Sequence, residues 1–452
     1  MKKVLWVCNI MLPVIARELG MPYSNREGWL SGIYEKALQG EAPFEIILCF
    51  PMSGEEILKI PVTSILNCDA ASQLQEKEAG HHAKSVGFRK IKGIQTPCYV
   101  FEEDLSRPEK YDAGLEKQFE GIFQDAAPDM IHIFGTEFPH CLAAVKAFQR
   151  PQKTLIGIQG LCGKIAEMYR AGLPENVFRQ VSFRDMLRQD SMRQQQGKFY
   201  RRAENERQAL LLTDHITGRT EFDRLETAKI NPRAQYHPMN ETMRQEFYDG
   251  EWVIEKTERH SIFLGQGDYP LKGMHFLLEA MGRLKENYPD LKLYVAGNSI
   301  ISHETAKEKC KLSAYGKYLL VLIRLYELQD KVIVLGKLSA EEMKAQFLRS
   351  SVFVCASALE NSPNTIGEAM LLGVPVVASR TGGIPSMVED GVTGLLFRNE
   401  DADDLADSIE RIWSDEELAK ELSRHERIRA SHVHDGYKNY ERLLEIYQEI
   451  LA

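Results

Sequence analysis

The stretch that decides the fold is VFVCASALENSPNTIGEAMLLGVPVVAS, Val352 to Ser379. Its two ends, VFVCAS and VPVVAS, are continuous apolar runs without polar alternation, the pattern of strands buried on both faces. Between them NTIGEAMLL reads as a helix closed by Gly373, so the unit is strand, helix, parallel strand. Pro363 suits a first helical position, where its missing N–H is no loss, and Ser362 suits the cap before it. Two carboxylates flank this helix start. Glu360 lies in the loop leaving the first strand, and Glu368 lies about 6–9 Å further along the helix axis.

The same alternation runs through the whole chain. KKVLWVCN, FEIILCF, DMIHIFG and KTLIGIQG read as buried strands in the first half; HSIFLGQG, LKLYVAGN, KVIVLGK, VFVCAS, VPVVASR and GLLF do so in the second. Amphipathic stretches such as GMHFLLEAMGRLKENYPD and SAEEMKAQFLRS lie between them. This implies an α/β protein of two doubly wound, Rossmann-like domains facing a cleft, with ligands at the C-terminal ends of the strands. A length of 452 residues agrees with two cores rather than one. The polar stretch 240–260 suits the junction. The expected division is 1–245, 246–434, and a last helix, 435–452, whose apolar and aromatic stripe (Tyr437, Tyr440, Leu443, Leu444, Tyr447, Leu451) crosses back to the first domain.

Hydrophobic residues make up 44% and charged residues 27% of the chain, and the net charge is −9, which argues against a nucleic-acid binder. MKKVLWVCNIMLP is broken by Cys8, Asn9 and Pro13 and is expected to be a first strand rather than a leader. No apolar stretch reaches the length of a membrane-crossing helix. The eight cysteines include no CxxC pair and read as reduced thiols of a cytoplasmic protein.

A helix that starts at the C-terminal edge of a parallel sheet presents free N–H groups and about half a positive charge, a seat for phosphate. Asn364 and Thr365 would supply those groups. Glu368 is then placed to accept from the two vicinal hydroxyls of a nucleotide's ribose. Glu360 falls on the other side of the phosphate, where a transferred sugar would lie.

ENSPNTIGEAMLLGVPVVAS, with its two glutamates eight apart, followed by TGGIP and EDGVTGLLF, resembles the donor-site signature of the family 4 retaining glycosyltransferases, which have the GT-B fold. FLGQGDYPLKGMHFLLEAM resembles the first strand, loop and helix of that family's donor domain, and PDMIHIFGTEFPH its acceptor-domain strand ending at the cleft. The resemblance implies that Glu368 holds the ribose, Glu360 binds hydroxyls of the donor sugar and Lys272 neutralises the diphosphate. It implies a nucleotide-diphosphate sugar as co-substrate, no metal or other cofactor, no protein nucleophile, and a saccharide or lipid-linked acceptor of the kind used in bacterial surface-polysaccharide or glycolipid synthesis. The chain departs from the family at three places. Gln266 stands where an arginine is usual, SPN replaces an aromatic–glycine pair, and Glu27-Gly28 replaces two glycines, leaving Gly28 as the close-approach position.

Stabilising a leaving diphosphate needs a preorganised cationic seat, for which Lys272, Gln266, the helix start and Gly28 are candidates. His140 is open to two readings, a contact to donor sugar or acceptor hydroxyl, or a helix-start histidine bonded to backbone. Glu137 is a second acceptor-side candidate, and His132 reads as a core residue with a satisfied ring. DADD, Asp401 to Asp404, reads as a helix cap rather than a metal-holding D-x-D. His81, His82, His432 and His434 read as surface histidines. Residues 177–207 carry eight basic and four acidic residues interleaved with Phe178, Val181, Phe183, Met186, Leu187 and Phe199. That is either a peripheral contact with an anionic membrane face or a solvated helix with one packed side. A nucleotide-sugar epimerase on the same plan and a non-catalytic sugar-nucleotide-binding protein, which Gln266 keeps open, are the alternatives. A dinucleotide oxidoreductase lacks its G-x-G-x-x-G after the first strand.

Overall fold

The computed structural model describes all residues except 23–27, 40–42, 61–64, 67–86, 93 and 304. Glu27, Cys68, His81 and His82 lie outside the described residues. Two sheets form. The first contains β1 (Lys2–Val7), β2 (Phe44–Met52), β3 (Ile65–Leu66), β4 (Arg89–Ile91), β5 (Cys98–Glu102), β6 (Met130–Phe134), β7 (Thr154–Gly157), β8 (His215–Gly218) and β9 (Gln235–Pro238). Its order is β3-β4-β5-β2-β1-β6-β7-β8-β9. The second contains β10 (Glu258–Leu264), β11 (Lys292–Ala296), β12 (Val332–Gly336), β13 (Ser350–Cys355), β14 (Val376–Ser379) and β15 (Leu395–Phe397), in the order β12-β11-β10-β13-β14-β15.

The expected two-sheet α/β architecture is therefore present, and its central strands are buried on both faces. Val4 to Val7 and Val352 to Val354 expose 1% or less of their surface. The second sheet is parallel throughout. The first departs at one edge, where β4 runs antiparallel to both β3 and β5. β4 is only three residues long, and the outermost strand, β3, only two, as strands near a sheet edge can be. In each sheet the winding reverses once, between β1 and β6 and between β10 and β13. Such a reversal splays the connecting loops apart and opens a crevice at the strand ends.

The helix Gly436–Leu451 crosses back onto the first sheet. Asp435 caps it, its Oδ1 accepting from the backbone N–H of Tyr437 and Lys438. Tyr440, Leu443, Ile446, Tyr447 and Ile450 are buried in one cluster with Val4, Trp6, Leu30 and Tyr34. Tyr437 is 68% exposed and does not join this stripe; Lys36 sits over its ring instead. The Tyr447 hydroxyl meets His132 Nδ1 at 2.7 Å. His132 is in the core as expected, but its ring is only half satisfied. Among the described residues Nε2 has no partner, and burial pushes the imidazole down to about 3.

Residues 177–207 are not one amphipathic helix. They divide into helices Glu175–Phe178, Phe183–Arg188 and Met192–Leu211. Phe178 is buried and Phe199 packs beside Tyr169, so only part of the interleaved apolar set faces outward. Asp401 does cap a helix, accepting from Asp404 N at 2.9 Å. Of the cysteines described, all are free and all but Cys310 are buried. No described helix is long and apolar enough to cross a membrane.

Leu443, fully buried beneath the last helix, is the simplest test of that crossing. Leu443→Ala is expected to destabilise the first half of the molecule by about 2–5 kcal/mol, read as a lower urea midpoint for that half.

Candidate functional site

The loops after β10 and β13 meet at the winding reversal of the second sheet. Lys272 closes a short turn, Pro270–Lys272, and its side chain reaches into the loop leaving β13. Its Nζ donates to Glu360 Oε1 at 2.6 Å, and Ser357 Oγ donates to the same oxygen at 2.7 Å. Both charged side chains are four-fifths buried or more. Burial works against the ammonium charge, but the adjacent Glu360 carboxylate more than offsets it and holds Lys272 above the usual lysine range. The backbone of the Glu360 loop is pinned from below by Ala358 N donating to Leu271 O, and from the side by Gly383 N donating to Glu360 O at 3.0 Å.

The following helix begins at Asn364, one residue later than the sequence suggests. Pro363 is the cap in extended conformation rather than the first helical residue, and Ser362 caps nothing. Proline's fixed φ is compatible with either place, and the wide ψ at Pro363 decides between them. Ser362 Oγ and both amide atoms of Asn361 are buried without a hydrogen-bond partner among the described residues. The mouth of this helix thus combines the N–H groups of Asn364 and Thr365 with three side-chain polar atoms that have nothing to bond.

Glu368, in the second turn, is 3% exposed. Arg244 donates to it from the segment that joins the two sheets, Nε to Oε1 at 2.9 Å and a terminal nitrogen to the same oxygen at 2.7 Å. Among the described residues, Oε2 is buried without a partner. Burial pushes the carboxyl up to about 7, against the opposing pull of Arg244. Arg244 was read in the sequence only as part of a polar junction. Its stem lies over Gly28, where a Cβ would come within 2.4 Å of Arg244 Cγ, and its guanidinium faces the Phe247 ring. A cavity of about 260 Å³ opens beside it, lined by Gly28, Ser31, Gly32, Glu246 and Ala340 among others. Gly367 also proves to serve a neighbour, since a Cβ there would meet His434 Nε2 at 2.8 Å. His434 is therefore not a surface histidine. It ends a helix, lies 5% exposed and donates from Nδ1 to Glu241 O, because the joining segment passes over it.

Lys272, Glu360, Asn364 and Thr365 are thus brought together, with Glu368 and Gly28 linked through Arg244. Gln266 stands at the edge of the group, its amide donating to Asp268 Oδ1, while Asn298 donates to the other oxygen. Across the cleft, His140 is fully buried with Nδ1 on Glu103 and Nε2 on Asn9, so neither ring nitrogen points freely into the crevice and neither is bonded to backbone. Glu137 stands at the end of β6, partly exposed. Its Oε2 has no partner among the described residues, and burial raises its carboxyl above the usual range. Beside it Glu206, unremarked in the sequence, holds the start of the Cys162–Met168 helix through Cys162 N and Gly163 N, and burial pushes it up to about 7.

A pair of doubly wound domains with this crevice is the GT-B fold. Residues 244–429 match the family model described as "Glycosyl transferases group 1". Among curated proteins the chain is 28% identical over 185 residues to the "Putative glycosyltransferase YtcC" of Bacillus subtilis (strain 168), a match spanning 40% of this chain and 44% of that protein. Sucrose-phosphate synthase from Thermosynechococcus elongatus superposes with a TM-score of 0.67 at 15% identity, covering 100% of this chain and 99% of the other. Anabaena Alr3699/HepE in complex with UDP-glucose superposes with a TM-score of 0.62 at 16% identity, covering 99% of this chain and all of the other. The fold is shared over the full length, the family-model match lies in the later half, and the chain spans less than half the length of the Bacillus relative it matches.

Arg244→Ala would leave Glu368 as a buried charge without its cation, at a cost of roughly 3 kcal/mol when ionised. Glu368 already stands above its unfolded value, and the variant raises it further. The destabilisation is therefore expected to be larger at pH ~8.5 than at pH ~6, where both proteins hold the proton. Urea midpoints of variant and parent at the two pH values check this.

Proposed function

We propose that this chain is a retaining, metal-independent glycosyltransferase of family 4 that moves a sugar from a nucleotide-diphosphate sugar to an acceptor hydroxyl. The observation that carries the reading is the helix start at Asn364, flanked by the Lys272–Glu360 pair on one side and by Glu368, with one unpartnered oxygen, on the other. In this reading residues 1–245 bind the acceptor, 246–434 bind the donor and 435–452 brace the first part.

The roles follow from charge and position. The N–H groups of Asn364 and Thr365 and the Lys272 ammonium receive the diphosphate, which gains negative charge as its bond to the sugar breaks. Glu368 accepts from the ribose hydroxyls through Oε2 when ionised, a form that Arg244 favours against the effect of burial. Glu360 and the unpartnered Asn361 and Ser362 side chains face the sugar. Gln266 donates where a second cation would be usual, and Gly28 leaves room beside Arg244. The sugar–phosphate C–O bond breaks, the acceptor oxygen bonds the same carbon from the same face, and the acceptor proton passes to the leaving phosphate. Glu137 receives the acceptor; His140, held between Glu103 and Asn9, positions the Asn9 side of that wall. The acceptor proposed is a saccharide carried on a lipid, met at an inner membrane face through residues 177–207, in polysaccharide or glycolipid synthesis.

A thermal-shift screen of UDP-, GDP-, dTDP- and ADP-sugars tests the donor, since a ligand of the folded state raises the melting temperature. One class of nucleotide is expected to stabilise the protein; no shift with any of them would remove the proposal. For the nucleotide so found, Glu368→Ala is expected to weaken calorimetric affinity by roughly 1.5–3 kcal/mol. Parental affinity is expected to fall as pH drops through ~7, because the proton taken up by Glu368 competes with the ribose. Lys272→Ala is expected to lower kcat by about 100-fold or more, measured as acceptor-dependent release of nucleotide.

A further inference from the structure

The helix Phe183–Arg188 carries an unusual surface. Val181, Phe183, Met186 and Leu187 are 58%, 58%, 59% and 66% exposed, four large apolar side chains within seven residues. They are not exposed through looseness. Ser182 caps the helix, and Asp185 on its inner side is 2% exposed, accepting from Ser182 N at 3.0 Å and from Ala314 N at 2.8 Å. Arg184 braces it by pairing with Asp185 and Asp190. A helix of the first half is thus fastened to the start of the helix Ala314–Leu325 in the second half, with its apolar crown turned outward. A contiguous apolar patch held rigidly in water marks a contact surface.

The charges around it select the partner. The helix Ala306–Lys311, of sequence AKEKCK, packs beside Phe183–Arg188 and exposes Lys307, Lys309 and Lys311. Arg188 and Arg193 are exposed on the other side. The one acid of the lysine helix, Glu308, is turned back to its own N-terminus, accepting from Thr305 N. On a chain of net charge −9 this is a local reversal of sign. Apolar side chains ringed by lysine and arginine fit the headgroup region of an anionic bilayer, where the Phe183 ring, the Met186 thioether and the aliphatic chains enter the acyl boundary and the cations meet phosphate. Both helices follow strands, β7 and β11, on the C-terminal side of their sheets. The segment before the lysine helix is tied to the donor-side loop by Asn298 donating to Asp268.

We infer that Val181, Phe183, Met186 and Leu187 of the first half, with Lys307, Lys309 and Lys311 of the second, form one composite platform for an anionic lipid surface, seated across both halves at the rim of the cleft. This rests on the reading of a lipid-borne acceptor and deepens it. It centres the contact on Phe183–Arg188, with only Arg193 of the basic Met192–Leu211 helix at its rim, and it makes the lysines of the donor half part of the same surface.

The experiment is co-sedimentation of the full chain with vesicles of phosphatidylcholine alone or with ~30% phosphatidylglycerol. Binding is expected only to the anionic vesicles and is expected to weaken with salt. The triple variants Phe183→Ser, Met186→Ser, Leu187→Ser and Lys307→Glu, Lys309→Glu, Lys311→Glu are each expected to lower partitioning by about ten-fold or more. Leu225→Ser, an exposed leucine elsewhere on the first half, is expected to change nothing. Equal binding to neutral vesicles, no binding at all, or a loss confined to the apolar triple would overturn the platform. So would a concentration-dependent dimer, seen by sedimentation velocity and abolished by the apolar triple, since a second copy would then cover the patch. Sugar transfer to a water-soluble acceptor is expected to survive both triples. Absence of transfer from the parent with vesicle binding intact would count against the transferase reading alone.

Discussion

A buried carboxylate must be met by a cation or give up its charge, and that constraint organises the centre of this molecule. Glu368 sits on a helix whose other side packs into the second sheet, at 3% exposure. The cation that meets it comes from neither sheet but from the segment between them. For Arg244 to lie where it does, the first half must leave a gap, and Gly28 is that gap. Three stretches more than a hundred residues apart in part are thereby held to one geometry by one charge pair. Because both guanidinium contacts fall on Oε1, the second carboxylate oxygen remains available, which a fork-to-fork pairing would have consumed.

The halves also meet through an apolar seam, where Tyr169, Leu173, Val177, Phe178 and Met192 of the first half are buried in one cluster with Phe276, Leu277 and Tyr315 of the second, and through single hydrogen bonds. Asp185 accepts from Ala314 N, His275 Nε2 donates to Ala171 O at 2.8 Å, and Glu221 N donates to Ser386 Oγ at 3.1 Å. Single hydrogen bonds are worth about 1 kcal/mol each, so apolar burial, here and beneath the last helix, carries most of the attachment between the halves.

Much of this was legible in sequence, for reasons that are local. Val352–Cys355 and Val376–Ser379 are apolar on both faces because they are central strands, and no other structure explains such runs at that length. The opposed carboxylates follow from helical rise, and the crossing of the last helix from its stripe. What escaped reading depends on contacts between distant residues. Nothing in TMRQEF distinguishes Arg244 from a solvated arginine. The lone hint was that a segment joining two doubly wound domains must pass the crevice. His434 looked like half of a surface HVH because the segment that buries it lies nearly two hundred residues earlier. Residues 177–207 carried a real apolar signal, but one-dimensional pattern could not divide it into Phe178, which is inside, and Phe183, which is outside. The extra antiparallel edge at β3 and β4 escaped because strands of two or three residues have no periodicity to detect.

Ser362 and Pro363 stand at the mouth of the helix that begins at Asn364. A proline at the cap contributes no N–H, so the mouth of this helix has one backbone donor fewer than a glycine there would provide. The loss sits beside a gain, since Asn361 and Ser362 bring an amide and a hydroxyl to the same mouth, all three atoms buried and unpartnered. Leaving buried polar atoms unbonded costs about 1–3 kcal/mol apiece, so a ligand that satisfied them would recover that cost on binding. In the proposed reading, recognition of the sugar moves from backbone to side chain at this point. Backbone N–H groups donate in one fixed direction, whereas an amide both donates and accepts, and a hydroxyl rotates. In that reading the loop discriminates by hydroxyl geometry, and exchange of the Asn361 and Ser362 side chains alters which sugar it takes.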